Sequence, residues 1–485
     1  MAYRKGTQGM MQVDYEQRMD FNRMREYRVA RIKKYMDTFD IDCLLLFDTG
    51  NKRYSTSTAV CSPEIDNMGR YAIIPRNGPP HIFGFGSEVA SEKLNCPWIA
   101  DYTFPAHGTM FGALPEAWGC STGFLKDLDM VLDNFGLDKS KIRIGVDVIE
   151  AQILLAMQAN GYTIADGQGV MQYARSIKNE DEIAILKHGA AIVDAAFHAI
   201  ACEIRPGAKE NDLQAVASAE MHRLGAQWIH NVQVTSGNRT NPHPHLSSDR
   251  LLQPGDIIFM DIVALFNGYH TCVYRCFTVG PPSQKQIDTH ARCLEIQLGG
   301  IDAVKPGCTT ADVVTRWPDY RQMGALNEHE IFGLQYGHGI GVGLWEFPII
   351  SRAYSIEHPI EIEPGMVFAL ETYAGNEDGS DGVRLEDEVV VTDDGIEIIT
   401  KFPTDRIIGC GMSYKSNQKH KGVRPLLIGF LWQTSRLRSS LAMESATKSC
   451  QKACGLWKPP VLSTESISRG RNSTGPARPI LRPDE

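Results

Sequence analysis

The sequence predicts an α/β (α+β) protein in two parts: an N-terminal α/β domain, then a larger domain built on an internal pseudo-twofold. Three observations lead there. Residues 25–165 alternate short apolar runs of strand type with helical periodicity. Two distant stretches, LLQPGDIIFMD at Leu251–Asp261 and EIEPGMVFALE at Glu361–Glu371, repeat one device: a Pro-Gly turn, an apolar strand and a terminal carboxylate. The repeat continues upstream, where Arg205-Pro206-Gly207 with Asp212 is echoed by Lys305-Pro306-Gly307 with Asp312, each after a long helical segment. Matched positions in one order indicate duplication. A carboxylate at the end of a buried strand is costly unless it is paired or meets a cation. Two of them on related units point to a cationic site between the halves.

Along the chain, residues 1–24 read as a polar arm. The first domain, residues 25–175, opens with a helix over Arg25–Phe39 and a buried strand at Cys43–Asp48. Strands at Arg70–Pro75 and His81–Phe85 flank an Asn77-Gly78 turn, and Ile142–Val148, a helix over Ala151–Asn160 and Thr163–Ala165 complete a β/α unit. The polar segment Ser176–Glu182 is the expected seam. In the second domain, residues 176–409, Ile183, Leu186, Ala190, Val193, Phe197 and Ile200 mark a helix over Asp181–Ile204, and a second helix covers Ile287–Val304. Both stop at Pro-Gly. Strand pairs are expected at Ile257–Leu265/Cys272–Thr278, around an Asn267-Gly268 turn, and at Val367–Tyr373/Glu388–Thr392. Residues 410–485, rich in Ser, Arg and Pro, read as a disordered basic tail.

With 485 residues, 43% hydrophobic and 22% charged, the composition is that of a globular protein of more than one domain. No window reads as a transmembrane helix and the N-terminus has no apolar signal core, so no membrane partner and a cytoplasmic setting are expected. Twelve cysteines without framework spacing fit reduced thiols, and the close pairs Cys272/Cys276 and Cys450/Cys454 lack a second pair at zinc-site distance. The formal charge of −9 conceals a split: residues 411–485 hold 13 Lys and Arg against 4 Asp and Glu, the rest 36 against 54. An acidic body argues against nucleic acid as the main partner.

His338 sits in QYGHGIGVG, residues 335–343, where the glycines leave the imidazole uncrowded. The string does not fit a dinucleotide fingerprint, and imidazole is the commonest partner of carboxylates at a metal. Glu386 lies in GVRLED, just ahead of the strand Glu388–Thr392; on extended backbone Arg384 shares its face and would orient or neutralise it. His243 and His245 lie in SGNRTNPHPH, a proline-stiffened loop suited to proton transfer. Tyr269, His270 and Arg275, beyond the Asn267-Gly268 turn, are expected to line the cleft.

In this order, KNEDEIAILKHGAAIVDAA, SGNRTNPH, FMDIVALFNGYHTCVYRCF, GHGIG, EPGMVFALET and GVRLEDEVVVT resemble the creatinase/aminopeptidase P (peptidase M24) family of pita-bread enzymes, over about Arg25–Ile408. The resemblance implies a creatinase-like N-terminal domain, a pita-bread catalytic domain and a homodimer. Metal-using members bind two divalent ions through two Asp, one His and two Glu. Carried over, these are Asp261, His338, Glu371 and Glu386, while Cys272 stands where the second Asp belongs. The family's His seven residues after the ligand His is Trp345 here, and its proton-handling His corresponds to His243 or His245. Cys272 offers one soft sulfur in place of two hard oxygens, which disfavours a Mg/Mn-type dinuclear site. What remains is one divalent ion (Zn, Fe or Mn) on His338, Glu371, Glu386 and Asp261 or Cys272, or a metal-free site of creatinase type. MREYRVARI, NKRYSTST and SGNRTNPH also resemble dimethylsulfoniopropionate lyases of the DddP type. Their additional aspartates correspond to Met260, Ile262 or Val263, and Leu344 or Trp345, none of which takes a proton.

The expected function is hydrolysis of a C–N bond in a small amide, dipeptide or amidine-like molecule. Glu371 and Glu386 would hold a metal or a cationic substrate group, His338 would ligate or orient, and His243 or His245 would shuttle the proton. Trp345 would wall the pocket, with Tyr269, His270 and Arg384 as further substrate contacts. A C–S lyase and a non-catalytic binding protein of the same fold are the alternatives.

Overall fold

The computed structural model describes residues 19–59, 67, 69–107, 114–241 and 245–411. The arm up to residue 18 and the basic tail from residue 412 lie outside the described residues. A six-stranded sheet comes first, in the order β4-β3-β2-β1-β5-β6. Its strands are β1 (Cys43–Leu46), β2 (Tyr71–Pro75), β3 (His81–Gly84), β4 (Thr103–Pro105), β5 (Arg143–Val146) and β6 (Thr163–Asp166). The helix Phe21–Thr38 begins four residues before the expected Arg25, because the Asp20 side chain accepts from the Asn22 and Arg23 amides. A helix without an expected counterpart, Cys120–Asn134, packs Phe124, Leu128 and Val131 on the sheet. The NKRYSTST segment forms the buried helix Thr49–Thr56. From it Arg53 donates to the Asn267 carbonyl (3.1 Å) and side-chain oxygen (2.9 Å), holding this helix on a hairpin turn 214 residues away.

The second half contains two sheets. One has the order β15-β9-β8-β7, from β7 (Trp228–Ser236), β8 (Ile257–Phe266), β9 (Tyr269–Val279) and β15 (Ile408–Cys410). The other has the order β11-β10-β12-β13-β14, from β10 (Tyr336–Gly339), β11 (Glu346–Ile350), β12 (Val367–Gly375), β13 (Gly382–Val391) and β14 (Ile396–Ile398). They meet along β9 and β13, where the Cys272 amide donates to Glu388 (2.8 Å) and the Cys276 thiol to the Arg384 carbonyl (3.1 Å).

The duplication read from sequence is present in the hydrogen bonding. Gly207 donates to Leu252 and Leu252 to Ala208; Gly307 donates to Ile362 and Ile362 to Cys308. Gly255 donates to Val279, and Gly365 to Val391. Bridges join Lys209 to Leu251 and Thr309 to Glu361. The four glycines share one backbone state, with φ of 81°, 88°, 79° and 86° at Gly207, Gly255, Gly307 and Gly365. A side chain there would clash with its own carbonyl, so glycine follows proline at all four turns.

Helices Glu180–Glu203 and Gln284–Ala303 lead into the two halves. The first begins inside the expected seam, because Asn179 and Glu182 form a capping box. Contrary to the expectation from sequence, it is long and apolar enough to cross a membrane by length and composition. Half of that apolar window is buried within the molecule, with Leu186, Val193 and Phe197 fully enclosed, so it packs here as a core helix.

Candidate metal and catalytic centre

Strand register assembles the site. Asp261 on β8 lies opposite Tyr274 on β9, with Cys272 two residues along on the same face. On the other sheet Glu371 lies opposite Glu386 and Tyr373 opposite Arg384, while β10 places Tyr336 opposite Glu371 and His338 opposite Ala369. Strand β13 starts at Gly382, so Glu386 sits inside the strand and not ahead of it as expected; its alternation is what turns Arg384, Glu386 and Glu388 to one face.

At the centre, Cys272 Sγ is 3.4 Å from Glu386 Oε2 and 3.7 Å from Asp261 Oδ1, and His338 Nε2 is 4.0 Å from Glu386 Oε1. The donor atoms of Cys272, His338 and Glu386 all lie within 4.8 Å of one another, and all three residues are buried. His338 Nδ1 lies 2.9 Å from the Gly339 carbonyl; donating there leaves the Nε2 lone pair facing the cluster. Neither His338 Nε2 nor Glu386 Oε1 has a hydrogen-bond partner. Glu371 is already engaged: Arg384 Nη2 donates to its Oε2 at 2.5 Å. The guanidinium also donates to the Gly333 carbonyl and lies 4.7 Å from the Tyr274 ring centre.

Burial sets the electrostatics. It raises the Glu386 carboxyl well above the usual range, reinforced by Glu371 and Asp261, and raises Asp261, reinforced by Glu371. Burial likewise raises the Cys272 thiol and lowers His338. Buried like charges hold protons that a cation would displace. On a tetrahedral ion with bonds of about 2.0–2.3 Å, neighbouring ligand atoms are separated by roughly 3.3–3.8 Å. The observed 3.4 Å spacing falls within that range, and the 4.0 Å spacing is slightly wider than it.

The expected residues divide clearly. His245 reaches the Glu371–Arg384 end of the site: Gln233 Nε2 donates to its Nδ1 at 3.2 Å. Burial and the nearby Arg384 charge hold its imidazole below the ordinary value. His243 lies outside the described residues. Arg384 is present as expected but pairs with Glu371, not Glu386. Tyr269 is not at the site. Two-residue alternation turns it to the face of β9 opposite Cys272, where its hydroxyl donates to Glu182 (2.7 Å) and its ring meets Arg28. Arg275 is on that face too, paired with Asp387 at 2.7 Å. His270 shares the face of Cys272 but sits beyond it, beside the His230 ring. Trp345 is 64% exposed and does not wall an enclosed pocket in the single chain.

Three contributors were not expected from the sequence. Gln233 lies opposite Asp261 across β7 and β8, and Tyr274 lies under Arg384. Alternation along each strand was the available signal for both. Glu346 is buried and receives Lys178 (2.8 Å), Arg175 (3.2 Å) and the Gly343 amide (2.9 Å), which anchors the glycine loop behind His338.

Two related hairpins that converge carboxylates and a thiol between facing sheets, with an imidazole from β10, define a pita-bread domain. The model of metallopeptidase family M24 matches residues 184–393, the stretch that holds both repeated units. The chain is 27% identical over 402 residues to the dimethylsulfoniopropionate lyase DddP of Roseovarius nubinhibens, covering 80% of this chain and 87% of that protein. It is 30% identical over 235 residues to the Xaa-Pro dipeptidase of Pyrococcus furiosus, covering 48% and 65%. Among solved structures, the Xaa-Pro dipeptidase from Bacillus anthracis superposes with a TM-score of 0.63 at 25% identity, covering 79% of this chain and 99% of that one.

Proposed function

We propose that the chain is an M24-type hydrolase, working as a cytoplasmic homodimer, that cleaves a C–N bond in a small amide, dipeptide or amidine-like substrate. The observation that carries this reading is the buried cluster of Cys272, His338 and Glu386, with two unpartnered ligand atoms beside Asp261. A divalent ion held there would supply Lewis-acid activation of the scissile group. Everything else falls to the chain's own residues. Gln233 holds His245 with Nδ1 accepting, so Nε2 carries the proton available to a departing nitrogen. Arg384 fixes Glu371 at the same end, and Glu346 with Lys178 and Arg175 keeps the loop behind His338 in place.

A second reading, C–S lyase chemistry, rests on the match to the Roseovarius lyase, 27% identical over 87% of that protein, which stands level with the match to the Xaa-Pro dipeptidase of Pyrococcus horikoshii, 26% over 98%. Product analysis separates the two. Purified chain is incubated with Xaa-Pro dipeptides and small amidines, and separately with dimethylsulfoniopropionate. Release of a free amine or proline is expected, falling at least about 100-fold in His338→Ala. Dimethyl sulfide with acrylate, and no amine, overturns hydrolysis in favour of the lyase.

A further inference from the structure

We infer that Cys272 makes this a one-ion, thiolate-ligated site selective for zinc-like ions, with Cys272, His338 and Glu386 as ligands and Glu371 excluded from the ligand set. The inference rests on the proposed reading of the cluster as a metal centre, but not on the reaction performed there.

Three features of the geometry carry it. The first is that Cys272 Sγ is central, 3.4 Å from Glu386 Oε2 and 3.7 Å from Asp261 Oδ1. The second is that two buried atoms without a hydrogen-bond partner, His338 Nε2 and Glu386 Oε1, belong to the same cluster. The third is that Glu371 Oε2 is committed to Arg384 at 2.5 Å, and that guanidinium is itself held by Tyr274 and the Gly333 carbonyl. That pair occupies one of the two Glu371 oxygens, and Glu371 is not among the residues whose ligand atoms converge within 4.8 Å.

Two ions about 3.5–4 Å apart need bridging oxygens. A thiol at position 272 supplies one sulfur, and the guanidinium of Arg384 keeps positive charge beside Glu371. A soft thiolate with imidazole and carboxylate suits zinc, cobalt(II) or cadmium, and disfavours magnesium and manganese, which take hard oxygen sets. Asp261 Oδ1, 3.7 Å from Cys272 Sγ, would be available as a further donor. As the sulfur–metal bond forms, the Cys272 S–H bond breaks and its proton passes to water, alongside the protons that the buried carboxylates give up.

The test is cobalt(II) titration of the full chain after chelator treatment, in a Cys450→Ser/Cys454→Ser background so that tail thiols do not contribute. One equivalent should give a tetrahedral visible spectrum with a near-ultraviolet sulfur-to-cobalt charge-transfer band. Cys272→Ser should abolish the band and weaken binding at least tenfold, while Cys202→Ser, at an exposed thiol, should change neither. Cys272→Asp should raise manganese uptake towards two ions per chain. The unmutated spectrum decides the matter if Cys272→Ser fails to fold. Cobalt bound without a charge-transfer band, a band that survives Cys272→Ser, or two manganese ions per unmutated chain overturns the inference. A charge-transfer band with no amine release leaves the site standing and removes only the hydrolase reading.

Discussion

The two halves of the duplicated unit share a backbone device and differ in the charge they deliver. Both enter a strand through Pro-Gly, and both tie that glycine to the end of the partner strand, Gly255 to Val279 and Gly365 to Val391. The hairpins then diverge. Strands β8 and β9 join through Asn267 and Gly268 alone, whereas six residues separate β12 from β13. In the first half Asp261 therefore faces Tyr274 and reaches Cys272 on the diagonal; in the second Glu371 faces Glu386 directly. Two residues before the last ligand stands His270 in one half and Arg384 in the other. Duplication preserved the scaffold, while negative charge and its permanent counter-ion concentrated in the second half.

Removing that counter-ion should have the largest effect. Arg384→Met leaves Glu371 as an unpaired buried carboxylate and should cost about 3–5 kcal/mol in urea unfolding. Glu371→Gln in the same background should recover most of it; no recovery would show that packing on Tyr274, and not charge, is what Arg384 provides.

The paired turn glycines give the next comparison. At Gly365 an added Cβ would lie 2.8 Å from Ile177 Cγ2 and 2.9 Å from the Lys178 carbonyl, whereas nothing lies within 4 Å at Gly255. Left-handed backbone alone costs a non-glycine residue about 1–2 kcal/mol, and overpacking adds about 1–3. Gly365→Ala should thus destabilise by about 3 kcal/mol and Gly255→Ala by about 1–2. Equal losses would mean that the chain before Glu180 yields to the added methyl.

His270 and Arg384 differ in charge as well as in residue type. Burial, helped by His230, pushes the His270 imidazole down to about 4. Its unfolded counterpart near 6.5 takes up a proton first as pH falls, so the stability tied to a neutral His270 is present above pH 6.5. It is lost as pH falls from 6.5 towards 4, by about 2 kcal/mol once the ring's partial exposure is allowed for. His270→Gln should flatten this part of the stability–pH curve; an unchanged slope would place the titration elsewhere.

The smallest contrast is at the caps. Thr309 Oγ1 accepts from the Asp312 amide at 3.3 Å, while Lys209 at the matching place makes no side-chain cap. Thr309→Ala should cost about 1 kcal/mol, and Lys209→Ala should leave the thermal midpoint unchanged.

Much of the scaffold was legible because its signals are local. Proline and glycine mark turns through their own dihedral limits, apolar spacing marks the long helices, and a short polar turn sets the first hairpin. The carboxylates, His338 and the thiol at position 272 were also legible, since each sits in a motif. Illegible were the features that depend on register. Whether Arg384 meets Glu371 or Glu386, whether Tyr269 faces the cluster or Glu182, and that Gln233 holds His245 follow from strand pairing, such as that of Gln233 with Asp261, or from the two-residue alternation it imposes. Composition likewise could not separate a core helix from a membrane span at Glu180–Glu203, because both bury the same apolar face. The sequence by itself determined which donors exist and on which repeated unit each lies. Only the tertiary structure decided which of them share an electrostatic field, because a one-residue slip in a strand exchanges its two faces.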